Sequence, residues 1–112
     1  MSISYNNIGQ VCVTCYNNSV QINQPCKIST NSSITTCADG NAIEGVVIAT
    51  RGGIATVVVK GFVTLPYLGS APSPGYCPLA AAGSGKVKKQ DGAREYLVFH
   101  VDTSKKTVTF CL

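Results

Sequence analysis

Residues 45–69, GVVIATRGGIATVVVKGFVTLPYLG, constrain the fold of this chain more than any other stretch. Three apolar runs rich in β-branched residues follow one another here: Val46–Thr50, Ile54–Val59 and Phe62–Leu68. The first two flank the turn-forming triplet Arg51-Gly52-Gly53, which predicts a β-hairpin that leads into a third strand. Val57, Val58 and Val59 are apolar at consecutive positions, so both faces of this strand must be covered. One face can be covered by the domain's own core, and the other needs a second layer or another subunit.

Shorter apolar stretches, separated by turn-forming residues, predict further strands along the rest of the chain. They are Gln10–Tyr16, a short return at Val20–Asn23, Cys26–Ser29, Ile34–Cys37, Arg94–Val101 and Thr107–Leu112. Leu79–Ala82 fits either one helical turn or a strand, Gly69–Tyr76 predicts a surface loop, and Gly83–Gly92 predicts a flexible basic loop. No window has a sustained helical period. We therefore expect an all-β fold, a small single-domain β-barrel or sandwich of about eight short strands over residues 10–112, preceded by an N-terminal arm at residues 1–9.

Charge is scarce in this sequence. Charged residues make up 12% of the chain, about half the usual fraction for a soluble domain. A surface so poor in charge must be finished with Ser, Thr, Asn and Gly or be partly covered by partners, and the second interpretation favours an oligomer or a component of an assembly. The net charge is +4, but the basic residues are too few and too scattered for the continuous stripe that nucleic-acid binding requires. We expect no nucleic-acid partner.

The N-terminus, MSISYNNIGQ, lacks the basic and apolar regions of a secretory signal. No stretch approaches the roughly 18 consecutive apolar residues that span a membrane. Synthesis in a reducing cytoplasm and no membrane association are therefore the expectations.

Six cysteines are the one anomaly of composition, and three interpretations compete. They are Cys12, Cys15, Cys26, Cys37, Cys77 and Cys111. A zinc site would need a second close pair beside Cys12-x-x-Cys15, and the sequence offers none. A disulfide framework would suit an exported domain. The favoured interpretation is that these thiols pack as small buried apolar residues, and we expect no metal and no cofactor.

His100 is the only histidine. Alternation along Arg94–Val101 predicts two faces: Tyr96, Val98 and His100 on one, and Leu97, Phe99 and Val101 on the other. The nearest acid, Asp102, lies two residues on, and no nucleophile is placed against this pair by the sequence. We therefore expect that the chain is not an enzyme and has no catalytic residues.

Residues 40–112 resemble the phage and prophage head-decoration (capsid cement) family. The elements that carry the resemblance are Val57-Val58-Val59-x-Gly61-Phe62-Val63-x-Leu65, Tyr67-x-Gly69, Pro72-x-Pro74-Gly75-Tyr76, Leu79, Gly83-Ser84-Gly85-Lys86-Val87, Tyr96-Leu97-Val98, Val101-Asp102 and Lys106-Thr107-Val108. The resemblance implies a compact β-barrel that sits on the outside of an icosahedral head, commonly as a trimer. It would clamp neighbouring subunits of the major capsid protein without chemistry, which places it in the virion.

The function expected from the sequence is thus a non-enzymatic structural protein that stabilises a capsid, as a homotrimer. The expected partner contacts are Ile3, Tyr5 and Ile8 in the arm, and Pro72, Pro74 and Tyr76 in the proline-rich loop. The alternative is a carbohydrate- or receptor-binding β-module of a phage tail or cell surface. That alternative predicts exposed aromatic residues clustered at one end of the fold, and the chain has five tyrosines and no tryptophan.

Overall fold

The computed structural model describes residues 10–112, and across them the chain forms ten β-strands. They are β1 (Val11–Asn17), β2 (Pro25–Thr30), β3 (Ser33–Thr36), β4 (Gly45–Arg51), β5 (Ile54–Lys60), β6 (Phe62–Leu68), β7 (Gly75–Gly83), β8 (Lys86–Lys89), β9 (Glu95–Asp102) and β10 (Thr107–Cys111). No helix occurs in these residues, and so none of them forms a helix that could cross a membrane. The all-β prediction is confirmed, with ten strands rather than about eight.

The strands close into two small barrels. We call β1–β5 unit 1 and β6–β10 unit 2. The strand order is β1-β3-β2-β4-β5 in unit 1 and β6-β8-β7-β9-β10 in unit 2, with the first and last strands paired in each. In both units the first strand runs parallel to the third, and every other pairing is antiparallel. The two units therefore share one topology.

The register matches as closely as the strand order. Cys15 of β1 lies opposite Ala55 of β5, and Leu65 of β6 lies opposite Val108 of β10, at the same step of the two ladders. The fourth strand of each unit carries a β-bulge at the same step, between Val47 and Ala49 in β4 and between Val98 and His100 in β9. Bulges persist as structural features within families of related folds. Unit 2 is thus a structural repeat of unit 1.

The interior consists of two clusters of buried side chains. The smaller lies inside unit 1 and contains Cys15, Val20, Cys26, Ile34, Val47, Ala55 and Val57. The larger fills unit 2 and includes four residues of unit 1: Cys37, Ile43, Val46 and Val58. The Tyr96 hydroxyl also donates a buried hydrogen bond of 2.8 Å to the Ile43 carbonyl oxygen, from unit 2 to unit 1. The two units share this second core, so they form one domain.

The run Val57–Val59 has both faces covered, as predicted. Val57 is 1% exposed and packs in the unit 1 cluster with the partly buried Val59, whereas Val58 is 0% exposed and belongs to the shared cluster. The second layer over this strand is therefore unit 2 of the same chain.

Two of the predicted segments are wrong. Gly83–Gly92 is not a flexible loop, because Lys86–Lys89 forms β8 between β6 and β7. Val87 is 0% exposed, and this one inward side chain holds a strand whose lysines point outward. Val20–Asn23 is not a strand. Asn23 has a φ of +65°, and the Asn17 side chain binds both the N–H and the C=O of Val20 in a turn.

The ambiguous segment Leu79–Ala82 is the second half of β7. Three of its residues, Leu79, Ala80 and Ala81, are no more than 1% exposed. Small side chains suit a strand that is covered on both faces, where there is no room for a larger residue.

Candidate interaction surface

The outer face of unit 2 carries a row of apolar side chains that crosses four strands. Tyr76 of β7 lies opposite Leu97 of β9, Leu97 lies opposite Cys111 of β10, and Cys111 lies opposite Phe62 of β6. Tyr76 is 72% exposed and Leu97 is 37% exposed. Phe99, at the bulge, is 54% exposed and its ring centroid lies 5.6 Å from that of Phe62. We call these five residues the outer row.

Part of the same row in unit 1 is already a packing surface. Val46 occupies the position of Leu97 in the register, and Val58 occupies that of Cys111. Val46 is 1% exposed and Val58 is 0% exposed, because both pack into the core shared with unit 2. This part of the row is therefore covered by protein in unit 1, although Cys12, at the position of Phe62, and Ile48, at the position of Phe99, are exposed. In unit 2 the row presents Tyr76 and Leu97 to solvent.

The predicted contact residues of the proline-rich loop differ in their exposure. Tyr76 and Pro74 are exposed, whereas Pro72 is buried, so its ring offers no contact surface and the prediction for Pro72 is wrong. The loop also ends earlier than expected, since Gly75 and Tyr76 belong to β7. The predicted arm contacts Ile3, Tyr5 and Ile8 lie outside the described residues and stay predictions.

The sequence missed most of the outer row because register across the sheet sets the row, and the bulge at Phe99 also misplaced His100. Strict alternation assigned Tyr96, Val98 and His100 to one face. In the structure Tyr96 and Val98 are 2% exposed, but the bulge shifts the phase and leaves His100 exposed opposite Thr109. A side-chain alternation of two holds only where the ladder is continuous. Leu97 and Phe99 were correctly placed on one face, but their neighbours across the sheet are set by register.

A depression with a volume of about 730 Å³ lies where the two units meet. Asp39, Asp91, Lys88 and Lys89 contribute to its lining. The Lys88 ammonium contacts the Asp39 carboxylate at 2.7 Å, and the Asp39 side chain is 68% exposed. A solvent-exposed ion pair of this kind stabilises the protein by at most about 1 kcal/mol. The opposite charges cancel here, so the depression has no strong preference for a charged ligand.

Asp102 has a local structural task. Its carboxylate accepts hydrogen bonds of 3.0 Å from the N–H groups of Ser104 and Lys105, and these bonds hold the pKa of the carboxyl below its ordinary value. An aspartate that binds two following N–H groups stabilises a turn. The carboxylate therefore organises the β9–β10 turn beside the exposed His100.

Two buried thiols, those of Cys26 and Cys37, are held in the protonated form. Burial, followed by the charges of Cys37, Cys15 and Glu44, raises the pKa of Cys26 to about 12. Burial also raises the pKa of Cys37 to about 11, although Lys27 opposes that shift. A protonated thiol is a poor nucleophile and a poor metal ligand. Within residues 10–112, no three His, Cys, Asp or Glu side chains are grouped in a way that could hold a metal ion.

Five of the six cysteines are buried or partly buried, as expected if the thiols pack as apolar residues. Cys15, Cys26, Cys37 and Cys77 are buried, and Cys111 is partly buried. Cys12 is exposed, so the prediction fails for this residue. Cys12 and Cys15 lie on opposite faces of β1, and this is why their close spacing in the sequence does not bring the two thiols together.

Comparison with known proteins gives no relative. No family model matches the chain, and neither a curated protein nor a solved structure is similar to it.

Proposed function

We propose that this chain is a non-enzymatic capsid-decoration protein that binds the outside of a phage head and stabilises the shell. The observation that carries the proposal is the outer row, with Tyr76 at 72% and Leu97 at 37% exposure, since Val46, the unit 1 counterpart of Leu97, is buried against unit 2. An apolar sheet face of this kind is typical of a protein–protein interface. The scarcity of charge in the chain, 12% of residues, supports the same interpretation.

The mechanism requires binding alone. A protein that binds the assembled shell and not its separated subunits shifts the equilibrium toward the shell by mass action. In this proposal the major capsid protein contacts Tyr76 of the outer row and the nearby Pro74, and the arm at Ile3, Tyr5 and Ile8 adds contacts. Copies of the chain associate as a homotrimer, which buries apolar sheet surface between them.

Co-sedimentation with heads tests this proposal. Purified protein is mixed with heads of the phage that encodes it, prepared without the protein, and the pelleted fraction is measured. We expect the natural chain to coat the heads and Tyr76→Ser to weaken coating by at least tenfold, because Tyr76 supplies a large exposed aromatic contact. Tyr16→Ser is the matched control, since Tyr16 is 65% exposed on unit 1, and it should coat normally. A natural chain that stays in the supernatant contradicts the proposal.

The arm is tested in the same assay. A chain that lacks residues 1–8 should fold and no longer coat heads, because the predicted contacts Ile3, Tyr5 and Ile8 are removed. Unchanged coating by this variant would remove the arm from the proposed interface and leave Pro74 and Tyr76 as the contact.

A further inference from the structure

One turn of unit 1 is inserted against unit 2. In the turn Ala38–Asn41, the Asn41 N–H donates to the Ala38 carbonyl oxygen at 3.1 Å, and Gly40 has a φ of +88°. The Gly40 N–H donates to the Ala81 carbonyl oxygen at 2.8 Å, and the Ala81 N–H donates to the Asn41 carbonyl oxygen at 2.9 Å. Because β9 pairs with β7 only as far as Pro78, this turn completes the open edge of β7. Ala81 is 0% exposed as a result.

Unit 2 contains the same turn in the same place. In Gln90–Ala93 the Ala93 N–H donates to the Gln90 carbonyl oxygen at 3.1 Å, and Gly92 has a φ of +82°. Both turns carry an Asp-Gly pair, Asp39-Gly40 and Asp91-Gly92. Asp91 and Gly92 are exposed. The Gln90 N–H continues the β7–β8 ladder by donating to the Pro78 carbonyl oxygen at 3.1 Å. Within residues 10–112, the Gly92 N–H has no backbone bond to a strand edge of the kind that Gly40 makes.

Unit 1 contains the matching edge, and it is open. Ile28 of β2 lies opposite Ile34 just before a register shift, as Ala81 of β7 lies opposite Val87 just before the equivalent shift. Ile28 is 50% exposed, although Ala81 is buried. β4 pairs with β2 only at Pro25 and Cys26. The Ile28 N–H is bonded at 2.7 Å to a side chain, the Glu44 carboxylate, where the Ala81 N–H has a backbone carbonyl.

We propose that a second copy of this chain covers the open edge. The turn Gln90–Ala93 of one copy inserts at Ile28 of the next, in the way that Ala38–Asn41 inserts at Ala81 within the chain. The Gly92 N–H then donates to the Ile28 carbonyl oxygen, and the Ile28 N–H moves from Glu44 to the Ala93 carbonyl oxygen. The partner is a second copy because this chain itself supplies both the turn and the edge, and their intramolecular counterparts already fit each other.

The apolar contacts point in the same direction. In unit 1, Val46 and Val58 pack in the shared core on the same side as the inserted turn. Leu97 and Cys111 occupy the corresponding positions of unit 2. A copy that docks through Gln90–Ala93 brings Leu97 and Cys111 to the same interface. Exposed strand edges are also ready sites of association through backbone hydrogen bonds.

The proposed contact is heterologous, because the turn of one copy meets the edge of another. Such contacts repeat until they close a ring or extend into a filament. A closed ring of three copies is the trimer of the proposed function. The inference rests on the self-association in that proposal and is independent of any binding to a capsid.

Two variants block the contact from opposite sides. Ile28→Arg places a charge on the half-exposed edge position. Gly92→Pro removes the N–H that donates in the contact and cannot adopt the positive φ of the turn. Ile54→Arg is the matched control, since Ile54 is 44% exposed on β5 of unit 1. Circular dichroism checks that each variant keeps the β-sheet signal, and all samples contain a reducing agent.

Analytical ultracentrifugation of the full chain from about 1 µM to about 1 mM covers the affinities expected of such a contact. We expect the natural chain and Ile54→Arg to associate, and each blocking variant to associate at least tenfold more weakly. An equimolar mixture of Ile28→Arg and Gly92→Pro should form a dimer and nothing larger, because only one intact edge and one intact turn can meet. A monomeric natural chain, blocked variants that associate normally, or a mixture that stays monomeric would each overturn the inference. The proposed function fails separately, if associated protein does not bind heads.

Discussion

At the scale of single residues, the buried cysteines of this protein pack as apolar side chains, and two of them make the folded state less stable at high pH. Cys26 is 1% exposed and packs in the unit 1 cluster with one other buried thiol, that of Cys15. Its pKa is raised to about 12, and that of Cys37 to about 11, from an ordinary value of 9.0. Folding therefore depends on both thiols being neutral, which they are at neutral pH.

The pKa values predict how stability changes at high pH. Above about pH 9 the unfolded chain loses its thiol protons while the folded chain keeps those of Cys26 and Cys37, so the free energy of unfolding should fall as the pH rises toward 11 and 12. Urea unfolding between about pH 8 and about pH 11 measures this slope. Cys26→Ala should reduce it, and Cys12→Ala, at an exposed thiol, should not. Tyr96, whose pKa burial also raises, contributes to the slope that remains. An unchanged slope in Cys26→Ala would contradict the assignment.

At the scale of elements, β4 and β5 fit together only because β4 begins with a glycine. A Cβ atom on Gly45 would collide with the Val57 side chain and lie 3.1 Å from the Val58 carbonyl oxygen. In unit 2 the position that corresponds to Gly45 is occupied by Tyr96, a buried aromatic residue. The missing side chain at Gly45 is thus compensated by Val57, which fills the space inside unit 1.

Gly45→Ala should therefore destabilise the hairpin by overpacking, by about 1–3 kcal/mol. Chemical denaturation of the full chain measures the loss. Val57→Ala removes the colliding atoms, so the double variant should be more stable than the sum of the two single changes predicts. Strictly additive effects would show that Gly45 is needed for another reason.

The elements show what the sequence can and cannot predict. The hairpin at residues 45–60 and the strand after Gly61 were predicted because β-branched runs and glycine turns are local signals. β8 was missed because one buried residue, Val87, holds it in place among lysines, and a single apolar residue gives no periodicity. Val20 was mistaken for a strand residue because it is apolar, but it lies in a turn that is held by the Asn17 side chain.

The candidate interaction surface, like the strands, could be predicted from the sequence only in part. Tyr76 was predicted from an exposed, proline-rich context, and Pro72, from the same context, is buried. Whether a loop residue faces inward depends on the strands beneath it, and these are distant in sequence. The outer row joins four strands through their register, and no local pattern specifies which strands become neighbours.

At the scale of the whole molecule, units 1 and 2 share their strand pairing, but their sequences do not show the repeat. Thr14 and Thr56 of unit 1 face each other as Thr64 and Thr109 do in unit 2. The inward positions differ, however: Val57 of unit 1 corresponds to Phe110 of unit 2 in the register. A core tolerates such changes if the total volume is kept, so a shared fold leaves little identity to recognise.

The shared core predicts that the two repeats unfold together. Val58 is 0% exposed, belongs to a strand of unit 1 and packs in the cluster that fills unit 2. Val58→Ala leaves a cavity between the units and should lower the free energy of unfolding by about 2 kcal/mol. Native-state hydrogen exchange reports this loss at each amide. Protection should fall equally at Ala55 in unit 1 and at Phe110 in unit 2, although Val58 belongs to only one of them.

The control for this experiment lies on the same strand. Ile54 is 44% exposed, so Ile54→Ala should change the free energy of unfolding by no more than about 0.5 kcal/mol. Full protection at Phe110 in Val58→Ala, with protection lost only in unit 1, would show that the units unfold independently. In that case the turn Ala38–Asn41 and the Ile43 contact would be a docking between two separate barrels. Equal loss in both units instead means that the chain folds as one body and that its own interface between repeats is part of its stability.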